Sequence, residues 1–356
     1  MELIITEETP PAGYERLVFA QEKNSRLQAF ICIHSTACGP AAGGCRMWNY
    51  ASLDDARTDV LRLAQGMTYK NAIADIGLGG GKAVIIGNAQ TDKSNALFRA
   101  FGKAVHRLGG IYYTAEDVGI STQDMAIVAQ ETPYAVGLEG GVHGSGDPSP
   151  FTAEGVFQCM QAGALDIFGT KDLQGKRVLV QGLGHVGMSL AQKLHSAGAH
   201  LIVSDINQAT LAHAKTQLGA QVCDVDGVFD LDMDIYAPCA LGATLNSESA
   251  HILTCKLVCG AANNQLATPE IANKLQARDI RYLPDYVVNA GGIISVAGEI
   301  HKRGQSYRAQ RLVGVTKRIE VILSQSRVSG KTTSQVAHEM VLDMIPKASE
   351  KEIKMQ

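Results

Sequence analysis

The stretch from Lys176 to Asp205 constrains the fold more than any other part of the chain. Lys176-Arg177-Val178-Leu179-Val180-Gln181 is a short apolar strand that runs into Gly182-Leu183-Gly184-His185-Val186-Gly187. That glycine spacing fits G-x-G-x-x-G. A helical stretch from Met188 to Ala197 follows, then a second strand, Leu201-Ile202-Val203-Ser204-Asp205, ending in an acid. A lone glycine motif is a weak signal. Between two strands and ahead of a helix, with Asp205 placed 23 residues after Gly182, it specifies a Rossmann half that binds a dinucleotide.

Each position has a physical task. Gly182 allows the tight turn, Gly184 lets the pyrophosphate approach, and Gly187 permits close helix–strand packing. The helix N-terminus favours the diphosphate charge, with Leu183, His185 and Val186 as the intervening loop positions. His185 is expected to pack near the diphosphate without a catalytic role. Asp205 should accept hydrogen bonds from the adenosine ribose and repel a 2′-phosphate. The next residues, Ile206 and Asn207, supply no arginine, so NAD is expected over NADP.

The first half of the chain has a different centre, Gly66-Met67-Thr68-Tyr69-Lys70-Asn71 through Gly79-Gly80-Gly81-Lys82. Consecutive glycines have no side chains to pack and lose much backbone entropy. They belong where the backbone bends or a ligand comes close. Lys82 precedes the apolar run Ala83-Val84-Ile85-Ile86, so it is expected at the mouth of a strand. Partial desolvation there lowers a lysine pKa toward what a general base needs. A glycine turn with a solvated lysine fits the same residues. A phosphate-binding P-loop does not, because Lys82 is followed by Ala83 rather than a hydroxyl.

Around this centre, Arg16–Ala20 and Leu27–His34 read as strands, and Asp54–Met67 and Ser94–Leu108 as amphipathic helices. Gly39-Pro40-Ala41-Ala42-Gly43-Gly44-Cys45-Arg46-Met47 reads as a small-residue loop whose N–H groups can approach a carboxylate. Gly110–Gly119 is a strand bearing Glu116 and Asp117, carboxylates at a sheet rim; Asp117 also suits a cap or turn. Ser121 with Asp124 marks a helix start. The Gly/Pro/Ser-rich stretch 139–150 is the expected domain boundary, with Thr152 capping a helix from Ala153 to Phe168. Further strands read as Met233–Ala240, Leu257–Gly260 and Asp279–Pro284, the second followed by Ala261-Ala262-Asn263-Asn264 and the third by a loop reaching Asn289-Ala290-Gly291-Gly292.

Whole-chain properties exclude several classes. A length of 356 residues suits about two domains. A net charge of -3 gives no general reason to expect nucleic acid or an anionic membrane. The N-terminus lacks a signal-peptide pattern, and no apolar run nears the ~18 residues of a membrane span. The eight cysteines show no C-x-x-C pair, so no metal site is expected and reduced thiols in a cytoplasmic protein are.

Together these residues resemble the amino acid dehydrogenase superfamily (glutamate, leucine, phenylalanine and valine dehydrogenases), most nearly the leucine type. The resemblance runs from about Ile31 to the C-terminal helices. Its motifs are Gly39-Pro40-Ala41-Ala42-Gly43-Gly44, Met67-Thr68-Tyr69-Lys70, Gly79-Gly80-Gly81-Lys82, Thr114-Ala115-Glu116-Asp117-Val118, Ala237-Pro238-Cys239-Ala240, Gly260-Ala261-Ala262-Asn263-Asn264 and Asn289-Ala290-Gly291-Gly292. It implies reversible NAD-dependent oxidative deamination of an L-amino acid to its 2-oxo acid and ammonium. It also implies an α/β fold of two domains around a cleft. Residues 1–147, with a mixed sheet, would hold the substrate, joined by returning helices from about 331 to 356. Residues 148–330 would form the Rossmann NAD-binding domain. A homo-oligomer, dimer to octamer, is the family's usual assembly.

Carried over by motif, Lys70 binds the substrate carboxylate, with Gly43 beside it. Lys82 activates water for attack on the imine, and Asp117 shuttles a proton to and from the substrate nitrogen. Two nearby lysines depress each other's pKa, which suits a base. Asn263 holds the substrate or nicotinamide ribose, while Thr152, Ala240 and Asn289 lie near the cofactor. Ala42, Ala115, Ile293 and Val296 line the side-chain pocket. Glutamate dehydrogenases carry a lysine at the position of Ala42 and a serine at that of Val296, so a γ-carboxylate would lie unpaired here and glutamate is rejected. Ile293 and Val296 favour leucine, valine or isoleucine; the small Ala42 leaves phenylalanine or tryptophan open. The competing classes are a non-catalytic NAD-binding regulatory protein on the same fold and a Rossmann enzyme acting on 2-hydroxy acids.

Overall fold

The computed structural model describes residues 2–138, 140 and 146–346. The expected boundary stretch 139–150 therefore lies partly outside the described residues, and the charged tail from Lys347 wholly so. The chain divides into two compact units.

The first unit comprises Met1–Pro148, Ile293–Arg308 and the chain from Asp343. In order it holds β1 (Ile4–Glu8), β2 (Arg16–Glu22), β3 (Leu27–Ser35), β4 (Ala41–Trp48), α1 (Leu53–Ala74), β5 (Gly79–Ile86), α2 (Asn95–Arg107), β6 (Tyr112–Glu116) and α3 (Thr122–Val128). The strands form one mixed sheet in the order β1-β2-β3-β5-β4-β6. The pairs from β1 to β5 are antiparallel, whereas β4 runs parallel to both β5 and β6. Leu17, Phe30, Cys32 and Val84 pack against Ala56, Val60 and Ala64 of α1 on one face. Ile31, Cys45 and Ile85 pack with Phe98, Phe101 and Val105 of α2 in a second cluster. Local chemistry ends these helices. Ser52 caps α1 by accepting the Asp55 N–H, and Asp75 closes it with φ of 52°. Ser121 and Asp124 form the capping box of α3.

The second unit comprises Ser149–Gly292 and Ala309–Leu342. It starts with α4 (Ser149–Phe168), β7 (Arg177–Gln181), α5 (His185–Ser196), β8 (His200–Ser204), α6 (Gln208–Leu218) and β9 (Gln221–Val222). β10 (Ile235–Pro238), α7 (Ser249–Ile252), β11 (Leu257–Val258), α8 (Ile271–Ala277), β12 (Arg281–Tyr282) and α9 (Asp285–Val288) follow. The last helices of the chain are α10 (Gly291–Ile300), α11 (Gln305–Ser329) and α12 (Thr333–Met344). All six strands run parallel in the order β12-β11-β10-β7-β8-β9. That is the doubly wound Rossmann order, reversing between β7 and β10, the crevice where such sheets take their ligands.

Four expectations change. The stretch 39–47 is not a loop: from Ala41 it is β4, a central strand. Its glycines remove bulk, since a Cβ at Gly44 would lie 2.5 Å from the Glu116 carbonyl oxygen and 2.9 Å from Asp117 Cβ. Likewise Gly79-Gly80-Gly81 is not a turn but the first part of β5, so Lys82 sits inside a strand. Thr152 does not cap a helix; it lies within the first turns of α4. The chain returns to the first unit earlier than residue 331. His301 Nε2 donates to the Ile76 carbonyl at 2.7 Å, and Gly137 N–H donates to Glu299 Oε2 at 3.0 Å. Ala309–Leu342 instead stays with the second unit, through Thr316 Oγ1 donating to Gln158 Oε1 at 3.2 Å and Lys171 pairing with Glu320 at 2.9 Å.

Candidate active site

Lys82 and Asp117 meet in the first unit. Lys82 is a buried lysine with a relative exposure of 6%, set in β5 opposite Cys32 of β3. Asp117 follows β6 directly. Its Oδ2 forms an ion pair with Lys82 Nζ. A second cation, Arg46 of β4, lies with Nε 3.7 Å from the same oxygen. Burial pushes the Asp117 carboxyl up, but Lys82 and Arg46 outweigh it and hold it down to about 2. The carboxylate is therefore ionised at every working pH and forms a charge-assisted contact with its lysine neighbour. Against Lys82 the structure sets a carboxylate.

The seat of Lys82 is made by close packing. A Cβ on Gly80 would overlap the backbone N and Oγ1 of Thr68 in α1. One on Gly81 would lie 2.9 Å from the Tyr112 ring. Asn71 Nδ2 donates to the carbonyls of Ala42 at 3.1 Å and Gly79 at 2.5 Å, tying α1 to β4 and β5. Lys70, half-buried, precedes it on α1. Tyr112 Oη donates to the Gly43 carbonyl at 2.7 Å, holding β4 at that position.

The expected pocket residues belong to this unit as well. Ala42 and Ala115 are buried in β4 and β6, and Ile293 and Val296 are buried on α10. Gly137 links the two sets. It donates to Glu299 of α10, and a Cβ built on it would lie 3.8 Å from the Ala115 methyl. Val296 is one turn before Glu299, hence on the same helix face.

The second unit assembles the dinucleotide loop. Gly182 has φ of +95°, and a Cβ there would meet Ala240 at 2.7 Å. A Cβ on Gly187 would overlap the Gly182 carbonyl, whereas Gly184, the N-cap of α5, faces open space. Room at the middle glycine and none at the outer two fits a diphosphate at the helix N-terminus. Leu183 N–H donates to Asp205 Oδ2 at 2.5 Å, and Asn207 N–H donates to Asp205 Oδ1 at 2.8 Å. Asp205 thus shapes the loop, and its oxygens keep further acceptor sites. His185 and Val186 open α5, with His185 exposed. Asn289 Nδ2 donates to Asn263 Oδ1 at 2.8 Å and to the Ala261 carbonyl at 3.1 Å. Thr152 is buried in α4, next to Gly291, whose Cβ would lie 2.7 Å from Thr152 Cα.

Residues 16–134 match the family model "Glu/Leu/Phe/Val dehydrogenase, dimerisation domain". Residues 140–214 and 203–354 match "Glutamate/Leucine/Phenylalanine/Valine dehydrogenase". The chain belongs to the Glu/Leu/Phe/Val dehydrogenase family. It is an amino acid dehydrogenase, and its dinucleotide-binding unit implies NAD(P). It is 46% identical to leucine dehydrogenase of Thermoactinomyces intermedius, over 93% of this chain and 91% of that one. It is 43% identical to phenylalanine dehydrogenase of Bacillus thermotolerans, over 92% and 87%. The crystal structure of L-tryptophan dehydrogenase from Nostoc punctiforme superposes with a TM-score of 0.80 at 38% identity, covering 94% of this chain and 96% of that one.

Within this family member, sequence reading missed Arg46, Asp59, Tyr50 and Asn71. Arg46 carried a faint signal, a lone cation on the otherwise apolar strand that holds Gly43 and Gly44. All eight cysteines are free thiols, five of them buried. Among the described residues no His/Cys/Asp/Glu group is arranged to hold a metal, and no helix is long and apolar enough to cross a membrane.

Proposed function

We propose that the enzyme catalyses reversible NAD-dependent oxidative deamination of an apolar L-amino acid of the leucine, valine or isoleucine type, releasing the 2-oxo acid, ammonium and NADH. Lys70 holds the substrate carboxylate as a fixed cation beside Gly43. Lys82 is the base that activates water against the imine, and Asp117 carries the proton to and from the substrate nitrogen. Hydride transfer is the cofactor's chemistry; the residues orient the substrate Cα for it. Thr152, the Gly182–Gly187 loop, Ala240, Asn263 and Asn289 hold the cofactor, and Asp205 selects NAD by repelling a 2′-phosphate.

The observation that carries the substrate reading is the lining of Ala42, Ala115, Ile293 and Val296, all buried and none able to pair with a charge. A glutamate γ-carboxylate buried there would stay unpaired. A second reading, an aromatic substrate, is favoured by the small side chain of Ala42 and by the likeness to an L-tryptophan dehydrogenase. Pocket shape separates neighbouring substrates by only ~1–3 kcal/mol per methylene. A homo-oligomer is consistent with the family's dimerisation-domain model over residues 16–134.

The test is NADH or NADPH formation at alkaline pH from L-leucine, L-valine, L-phenylalanine, L-tryptophan and L-glutamate. The expected result is strongest activity on leucine or valine with NAD. Strongest activity on an aromatic substrate transfers control of the pocket to Ala42. No activity on any, with NADH bound, overturns the assigned substrate class.

A further inference from the structure

The roles above leave Arg46, Asp59 and Tyr50 without a task. Arg46 Nη1 pairs with Asp59 Oδ2 of α1 at 3.0 Å. Tyr50 Oη donates to the same Oδ2 at 2.7 Å, and Arg62 Nη2 donates to Asp59 Oδ1 at 3.1 Å. Asp59 is thereby pinned on two sides and can aim a guanidinium. The other edge of that guanidinium faces Asp117. Arg46 Nε is 3.7 Å from Asp117 Oδ2, beyond hydrogen-bond length. It is buried and has no hydrogen-bond partner among the described residues. A buried donor is rarely left unpaired in a ground state without a reason.

The atom it faces is the one Lys82 occupies. Asp117 Oδ2 has one cation in contact and a second standing behind it. We propose that Arg46 is a positioning residue that takes over Asp117 Oδ2 when Lys82 turns to the substrate, with Asp59 and Tyr50 aiming it. A base must give up its proton, and a neutral Lys82 no longer compensates a buried carboxylate. An uncompensated buried charge is strongly unfavourable. The groups facing Asp117 are Lys82 from β5, Arg46 and Cys45 from β4, and Tyr112 from β6. Burial pushes the Cys45 thiol and the Tyr112 phenol up, so both stay neutral. Arg46 is the one whose charge survives any proton movement in the reaction.

This inference rests on reading Asp117 as the proton carrier, and the experiment separates the two. The Asp117 carboxyl of the full-length ligand-free protein is titrated by 13C NMR, its signal identified by its loss in Asp117→Asn. Arg46→Gln should raise the Asp117 midpoint by at least about one pH unit, a tenfold change in proton affinity. Arg46→Lys, which keeps the charge but loses the fork, should raise it less. Asp59→Asn and Tyr50→Phe should shift it the same way by smaller steps. Arg46→Gln should also lower kcat by at least about tenfold while KM for NAD stays within about twofold. An unshifted midpoint in a folded, NADH-binding Arg46→Gln protein overturns the proposal. If that variant does not fold, an unshifted midpoint in both Arg46→Lys and Tyr50→Phe overturns it instead. Undiminished turnover of Asp117→Asn would remove the proton-carrier reading, while the titration still decides whether Arg46 holds Asp117.

Discussion

Gly79-Gly80-Gly81 and Gly182-x-Gly184 look alike as strings and work in opposite ways. In the second unit, Gly182 takes a left-handed φ of +95° and Gly184 faces open space. Gly182 makes the turn, and Gly184 leaves room. In the first unit none of the three adopts a positive φ. They lie in an extended strand, and a Cβ on any of them would run into backbone or side-chain atoms of a neighbour, Ser35 and Gly39 at Gly79, Thr68 at Gly80, Tyr112 and Cys32 at Gly81. They remove room, letting α1 and β4 close on β5 until Lys82 is buried against Asp117. One glycine run is a cradle and the other is a spacer deleted from a packed seam.

Lys82→Ala gives the largest expected effect. Turnover should fall by about 10²–10⁴-fold, the usual worth of a general base, while NADH binding stays intact because the cradle belongs to the other unit. Unchanged turnover would leave the packed seam without a purpose. Lys70→Ala should act differently, raising KM for the amino acid more than it lowers kcat, as removal of substrate binding does; a KM near the native value argues against carboxylate binding.

A pair of glycine substitutions sharpens the contrast. Gly80→Ala should lower stability by about 1–3 kcal/mol, the range for overpacking, read as a fall in Tm. Gly184→Ala should change stability by less than about 1 kcal/mol, as N-cap exchanges do, yet weaken NADH binding by filling the open space. Equal stability losses in the two variants would mean that both glycine runs serve packing alike.

A further effect concerns acid. The folded-state Asp117 carboxyl is held to about 2, below its ordinary 3.8. A depressed carboxyl stabilises the fold above the ordinary value and loses that contribution as pH falls through the folded one. Urea unfolding should therefore lose about 2 kcal/mol from this group between about pH 4 and pH 2. Asp117→Asn should flatten that segment of the curve, and an unaltered slope would count against the Lys82–Asp117 pair.

Much of the second unit was legible because its determinants are neighbours in sequence. The strand, the glycine turn, the helix start and Asp205 all lie between Lys176 and Asp205, and each acts on the next. Lys82 and Asp117 stand in glycine-rich and strand-end motifs, but neither their meeting nor the surroundings of Lys82 can be read locally. Nothing near residue 80 says that Thr68 will lie on it, or that Cys32 will be its strand neighbour's partner. The Arg46–Asp59 pair spans a strand and a helix, 13 positions apart in sequence, and has no local signature. Thr152 was misplaced as a cap because Ser149-Pro150 starts α4 a turn earlier.

By itself the sequence determined the doubly wound half, its glycine loop and the family, because periodicity, turn chemistry and glycine spacing are short-range. Tertiary structure alone decided that Gly43 and Gly79–Gly81 are strand rather than loop, that Lys82 is buried against Asp117, that Arg46 stands behind that carboxylate, and where the last helices leave and rejoin each unit. Those outcomes depend on which surfaces close on one another, and close packing is a property of the whole fold, not of any window along the chain.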